Sequence, residues 1–377
     1  MNLKHIRAVT RKEYYHLIRD FRSLYLAFII PLLLIFLFGY ALSLDVEDIK
    51  TVIVDGDHTD MSRDLIRKLD ASAYFSICGH LSDTRSLTHY LDNNRALMGV
   101  VIPPGWTRNM QSDRKAPIQI IIDGSDPNFA GLTRGYITAF ISKYNRKQLR
   151  FYLNRLGLDP IEPPVAGRIR VWFNEDLESR NFIVPGIIAI IIMIVGAMLT
   201  SLVIAREYEN GTMETLRSLP IRGGDFLIGK AIPYFFIGFV DVLVAIFMGQ
   251  ILFGVVMKSS FWLMIIATSV YLGVALAIGL LISSFTKSQL VANQIAILVT
   301  YLPSLLLSNF VFPITNMPKV LQIITYLVPA TYFIDILNGL YLRNLGIYYL
   351  WPSYLVLLAM LIGLGILNLI VLKREGF

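Results

Sequence analysis

Gly224 to Ala231 reads GDFLIGKA, one residue short of a phosphate-binding loop. Such a loop cradles phosphates on its backbone amides, reaches them with its lysine and holds magnesium through the next Ser or Thr. Ala231 stands where that hydroxyl is needed. No strand pattern precedes the segment, and it runs directly into an apolar run, so its amides are not free to surround an anion. No second nucleotide motif occurs, and ATP hydrolysis by this chain is not expected. The five histidines, His5, His16, His58, His80 and His89, include no pair at i and i+4 and no HExxH, so they read as solvated surface residues. No G-x-S-x-G elbow offers a nucleophile. Cys78 is the single cysteine, which excludes an intrachain disulfide and a thiolate zinc site. The expectation is a chain that is not an enzyme and holds no cofactor or metal of its own.

One carboxylate, Asp241, lies well inside an apolar run. A charge at that depth is costly. Two readings stand open: a cation or proton site, or a protonated or hydrogen-bonded group that holds helices together. Asn293 and Gln294 in a later run, with Tyr301 two turns on, suit either a pathway lining or interhelical hydrogen bonding. Tyr348, Tyr349 and Trp351 read as an interfacial aromatic belt.

The most punctuated stretch is Arg206 to Lys230, a charged break between two apolar runs. Asn210-Gly211 is expected to stop the preceding helix, because glycine accepts the left-handed conformation. Thr212 can cap a short helix carrying Glu214 in its first turn and Arg217 near its end, both favourable to the helix dipole. Pro220 ends it by pushing Leu219 out of the α region. Gly223-Gly224 is expected to turn, with Asp225 capping the next helix. A short helix held at a membrane surface by a span on each side suits receiving force from a soluble partner.

The elements that position these residues follow from composition. Of 377 residues, 55% are hydrophobic and only 16% charged, against about 25% charged in soluble domains. Six runs are long enough to cross a bilayer: Ser23–Leu44, Asn181–Ala205, Ala231–Met257, Ser259–Thr286, Ser288–Asn309 and Asn344–Leu372. The first is too long, and its leader too polar, for a cleaved signal peptide. Residues 310–343 are apolar but cut by Pro313, Pro318 and Pro329, so short re-entrant or interfacial helices are expected there. Residues 1–22 read as an amphipathic helix in the inner interface, with Leu3, Ile6, Tyr14, Leu17 and Phe21 near one face. Residues 45–180 are charged and mixed. Strands at Lys50–Asp55, Tyr74–Cys78, Leu97–Ile102, Ile118–Asp123 and Arg168–Phe173 alternate with helices at Ser62–Leu69, Thr84–Asn93 and from Asp126 to about Leu156, which argues a small α/β domain.

Orientation follows from the short loops. Residues 1–22, 206–230, Lys287 and Lys373-Arg374 hold most of the loop Lys and Arg, whereas the opposite loops carry only Lys258, Lys319 and Arg343. The positive-inside rule then puts both termini and the 206–230 loop in the cytoplasm and the α/β domain outside. The net charge of +7 is largely this flanking charge, and no separate basic domain suggests nucleic acid.

Several stretches, in order, resemble a known family. Ala205 to Leu216 (AREYENGTMETL), Pro220 and Gly229-Lys230-Ala231-Ile232-Pro233 resemble the signature of ABC-2 type permeases. Ile122 to Asn128, Trp172-Phe173-Asn174, Leu280 to Ser284, Asn316-Met317-Pro318 and Tyr326 to Phe333 are similar to bacterial efflux permeases of the YbhS/YbhR/YhhJ type. Thr331 departs from the pattern, standing where many relatives carry Arg. The resemblance covers most of the chain. It implies the inner-membrane permease subunit of an ATP-driven exporter, paired as a homodimer or with a paralogue. A separate ATP-binding subunit uses the ATP. It also implies that the second and fifth spans line the route; the residues themselves offer Asp241 in the third span, and Asn293 and Tyr301 in the fifth, as candidate path residues. Arg206, Glu207, Glu209, Gly211, Thr212, Glu214, Leu216 and Pro220 would form the segment that contacts the ATPase. The outer domain would meet a periplasmic adaptor. The matching stretches do not specify a substrate; the uncharged lining of the proposed route fits a drug or amphipathic small molecule as cargo. Two rival readings remain: an ion-coupled transporter using Asp241, and a receptor or scaffold with an external sensing domain.

Overall fold

The computed structural model describes residues 2–19, 21–41, 48–112, 114–155, 157, 173 and 179–376. The chain divides into two compact units, residues 1–43 with 171–377, and residues 44–170.

The smaller unit alternates strands and helices: β1 (Ile49–Asp55), α3 (Asp60–Asp70), β2 (Phe75–Leu81), α4 (Thr84–Asp92), β3 (Met98–Ile102), α5 (Trp106–Gln111), β4 (Gln119–Ile122) and α6 (Pro127–Arg155). α1 and α2 belong to the other unit, at Leu3–Arg19 and Phe21–Ala41. The sheet order is β2-β1-β3-β4, with β1 parallel to both neighbours and β4 antiparallel to β3. Ile53, Val100, Leu65, Trp106 and Ile137 share one core. Val52, Val54 and Leu87 form another, so both sheet faces are covered, as parallel strands require. Asp57 accepts hydrogen bonds from the Thr107 backbone at 3.1 Å and from the Thr59 hydroxyl at 2.8 Å, joining the starts of α3 and α5. Desolvation pushes this carboxyl up, but the hydrogen bonds outweigh it and its pKa lies below the ordinary value. Helix α5 is absent from the sequence reading. The strand expected at Arg168–Phe173 lies, Phe173 apart, outside the described residues.

In the larger unit, five helices among the described residues are long and apolar enough to cross a membrane: α7 (Arg180–Glu209), α9 (Gly223–Phe253), α10 (Phe261–Thr286), α11 (Gln289–Leu306) and α14 (Ile347–Arg374). Between α7 and α9 lies the short α8 (Thr212–Ser218). α12 (Lys319–Thr325) and α13 (Pro329–Tyr341) are bent by 76° at their break, and counting them as one broken span gives six. Proline sets that break, since Pro329 supplies no N–H to continue α12.

α7 is apolar on every side and sits at the centre, with 89% of its apolar window buried. Small residues let α10 approach it. A Cβ on Gly279 would lie 2.3 Å from the Ala197 carbonyl, and one on Gly196 would lie 2.8 Å from Ala275 Cβ. Hydroxyls add hydrogen bonds that apolar packing lacks. Thr200 donates to the Leu276 carbonyl at 2.9 Å, and Tyr271 donates to the Ala189 carbonyl at 3.0 Å. The backbone amides of Ile204 and Ala205 donate to Ser283.

Candidate functional site

The charged break folds much as its punctuation dictates. α7 runs on to Glu209, Gly211 turns the chain at φ +69°, and α8 follows. Leu219 is extended ahead of Pro220. Two details differ. Gly211 caps α8, and the Thr212 hydroxyl donates to the Glu207 carboxylate instead. Gly223-Gly224 begins α9, and Asp225 lies within its first turn. Its buried carboxylate accepts the Asn2 backbone N–H at 3.2 Å and so joins the start of α1 to α9.

Helix α1 packs along α9. The buried face is Ile6, Val9, Glu13 and Leu17. Leu3 and Tyr14, expected on that face, are exposed. The approach is close at Gly229, where a Cβ would lie 2.7 Å from Val9 Cβ. Thr10 donates to the Gly229 carbonyl at 3.2 Å.

One residue on, Lys230 is 1% exposed and uses its three donors on Glu13 Oε1 at 2.5 Å, Glu207 Oε1 at 2.8 Å and the Val203 carbonyl at 3.3 Å. Glu207 also accepts Lys12 Nζ at 2.7 Å. Glu13 faces the Tyr234 hydroxyl at 3.4 Å. The lysine of the failed phosphate loop therefore links α1, α7 and α9 beneath α8.

A second cluster fixes the other end of α8. Glu375 Oε2 accepts Arg217 Nη2 and the Tyr208 hydroxyl, each at 2.7 Å, and Lys287 lies 3.1 Å from Oε1. The Tyr208 hydrogen bond, followed by Lys287 and Arg217, holds the Glu375 carboxyl below its ordinary range. Glu209 accepts the backbone and side-chain N–H groups of Gln289 and caps the start of α11, while Arg206 Nε donates to Gln289 Oε1 at 3.1 Å.

The sequence-predicted residues thus separate by position. Met213 is buried and Leu216 half-buried, anchoring α8 to the core. Glu209, Gly211, Thr212, Glu214 and Pro220 are exposed, with Thr215, Ser218 and Leu219 beside them. Glu207 is 5% exposed and turned inward, so it offers no surface for a partner. Glu13 and Glu375 escaped the sequence reading, and Lys230 entered it only as part of the failed phosphate loop, the charged break and the family signature, without its partners. For Glu13 a signal existed: an acid at the same helical phase as Ile6, Val9 and Leu17 needs a buried cation.

The path candidates are not brought together. Asp241 is 2% exposed on α9, and no hydrogen bond or ion pair involves it among the described residues. Asn293 and Tyr301 are half-buried on α11. α9 and α11 each pack on α7, with no extended contact between them. Tyr301 borders a void of about 20 Å³ with Leu34, Phe38 and Ile194. The implied lining by the second and fifth spans meets an asymmetry: α7 is nearly sealed inside the chain, whereas only 22% of the α11 window is buried. Thr331, at the departing position, donates to the carbonyls of Leu307 and Thr325 and fastens the proline break.

A bundle of long apolar helices with a charged, braced loop at one end is that of a multi-pass membrane protein. The model of the ABC-2 family transporter protein matches residues 21–370. The probable multidrug ABC transporter permease YbhS of Escherichia coli (strain K12) is 35% identical over 346 residues, 91% of this chain and 90% of that one. YbhR of the same strain, also a probable multidrug ABC transporter permease, is 28% identical over 343 residues, 91% of each. The inner membrane transport permease YhhJ is 28% identical over 275 residues, 71% of each. The chain belongs to the ABC-2 transporter family, and these three relatives are named as permeases.

Proposed function

We propose that this chain is the permease subunit of an ATP-driven exporter and that the exposed face of α8 is where a separate ATP-binding subunit grips it. The observation that carries this reading is the brace under α8. A seven-residue helix is marginal alone. Here it is anchored by Met213, clamped by Glu375 and floored by the Lys230 cluster, while Glu214, Thr215, Ser218 and Leu219 stay exposed. Closure of the ATP-binding subunits pushes the braced helix, and their differential affinity for two permease states supplies the bias. ATP is bound by that partner and not by this chain.

In this reading α2 joins the five candidate spans as the first of six, both termini are cytoplasmic and the α/β unit is extracytoplasmic. The permease works as a homodimer or with a paralogue in the inner membrane. The outer domain is placed to meet an adaptor, and drugs or amphipathic small molecules are the cargo class, in keeping with the names of the relatives. Glu214→Lys and Gly211→Pro are expected to abolish permease-stimulated ATP hydrolysis and efflux while membrane insertion persists. Wild-type stimulation and efflux in both variants would sink the assignment. A second reading, ion-coupled transport, rests on Asp241, buried and with no hydrogen bond or ion pair among the described residues. It requires efflux without any ATP-binding subunit, and Asp241→Asn would abolish it.

A further inference from the structure

Helix α1 turns two apolar strips in different directions. Ile6, Val9 and Leu17 are buried against the helical unit. Leu3, Tyr14 and Ile18 are 81%, 53% and 52% exposed. At 3.6 residues per turn this second strip lies about 100° further round the helix. Cations border it. Arg7 falls within the strip, and Lys4 and Arg11 lie along its far edge, all three exposed. Arg11 sits over the Tyr15 ring, 5.6 Å from the centroid, which holds its guanidinium at that edge. Arg19 is exposed one turn after Tyr15. The protein does not balance this charge. Lys12 pairs with Glu207, and Lys230 with Glu207 and Glu13, so the brace beneath α8 is neutral in itself. Glu13 is the single carboxylate of α1. Among the described residues no ion pair involves Lys4, Arg7, Arg11 or Arg19.

We infer that this outer face of α1 binds anionic phospholipid headgroups, with Arg7 and Arg11 on the phosphates and Leu3, Tyr14 and Ile18 among the first acyl carbons. Water suits the apolar strip poorly, and hydrocarbon suits four unpaired cations worse. The headgroup layer suits both, because apolar side chains reach the acyl region while Lys and Arg stems carry their charge to the phosphates. The guanidinium fork matches phosphate oxygens two at a time. A zwitterionic headgroup brings its own ammonium, whereas an anionic one leaves negative charge for the surplus cations. A soluble acidic partner would satisfy the cations but leave the strip in water. The site needs only that the chain sits in a membrane. It depends neither on the α8 surface nor on the side of the bilayer that α1 faces.

The test places the full-length chain, as Cys78→Ser with Ala8→Cys carrying bimane, in nanodiscs of phosphatidylcholine. Ala8 is exposed one turn from Lys4 and Arg11. A minor fraction of the lipid is either phosphatidylglycerol or phosphatidylcholine with a spin label on the acyl chain, which quenches bimane on contact. Charge attraction at the surface predicts that phosphatidylglycerol associates about fivefold more tightly than phosphatidylcholine. Arg7→Gln combined with Arg11→Gln should bring that ratio below about twofold. High salt should lower it as well, since exposed charges are screened. Lys319→Gln, at the exposed start of α12, should leave it unchanged. Equal quenching by the two lipids with both arginines in place would overturn the proposal, and that comparison needs no arginine variant. A preference undiminished by the two arginine substitutions would overturn it too. Quenching by neither lipid would do the same, since α1 would then lie away from the bilayer with its cations left to a soluble partner.

Discussion

Replacing Lys230 by methionine keeps most of the side-chain volume and removes the cation that Glu13 and Glu207 share. The consequences fall unequally. Glu207 retains Lys12 and the Thr212 hydroxyl. Glu13, 2% exposed, retains among the described residues only the long contact to Tyr234. Removing one partner of a buried ion pair costs about 3–5 kcal/mol. Most of that loss should appear as detachment of α1, which can carry Glu13 into water. A cost of about 3 kcal/mol raises the detached population by roughly two orders of magnitude. Hydrogen exchange of the Val9–Leu17 amides in the full chain reads this local opening directly. Protection there should fall about a hundredfold, with little change in α10. The double variant Lys230→Met, Glu13→Leu removes both charges and should recover most of the protection, because a well-packed apolar pair replaces buried ions with little loss. Protection unchanged within about threefold in the single variant, or no recovery in the double, would refute the reasoning.

Two further outcomes follow from the same region. Gly229→Ala drives a methyl group to 2.7 Å from Val9 Cβ and should cost about 1–3 kcal/mol, read as lost protection of α1 with α8 unaffected. The Glu375 clamp should depend on pH in one direction only. Its carboxyl is held below the ordinary value, so its contribution is complete above about pH 4.3 and is lost as pH falls through the lowered value. A spin-label distance between positions 218 and 376 should be constant from pH 7 to 5 and lengthen at lower pH, whereas Glu375→Gln should give the lengthened distance throughout.

Local features were legible where one residue decides the backbone. Gly211 at positive φ, Leu219 extended before Pro220, and the break at Pro329 all follow from chain sterics. The strands of the α/β unit were legible from their alternation with helical patterns, but short α5 carries too few residues for a period to show. What escaped were partners distant in sequence. Lys230 is set by Glu13, more than two hundred residues away, and Glu375 meets Arg217 across most of the membrane unit. Asp225 looked like a cap for its own helix because sequence shows only neighbours, whereas the structure gives it the start of α1. Similarly, apolar α7 reads the same whether lipid or protein surrounds it, and only the small residues of α10 show that the answer is protein.

The claim that α8 is the grip for an ATP-binding subunit is tested most directly by cross-linking. The chain has one cysteine, Cys78, so Cys78→Ser gives a clean background. Thr215→Cys on the exposed face of α8 should then cross-link in the membrane to an ATP-binding subunit, with a yield that changes between nucleotide-free and ATP-trapped states. Ser125→Cys in the α/β unit should give no such product. Efflux-competent Thr215→Cys that forms no cross-link to any ATP-binding subunit in either state, or the same product from Ser125→Cys, would contradict the account.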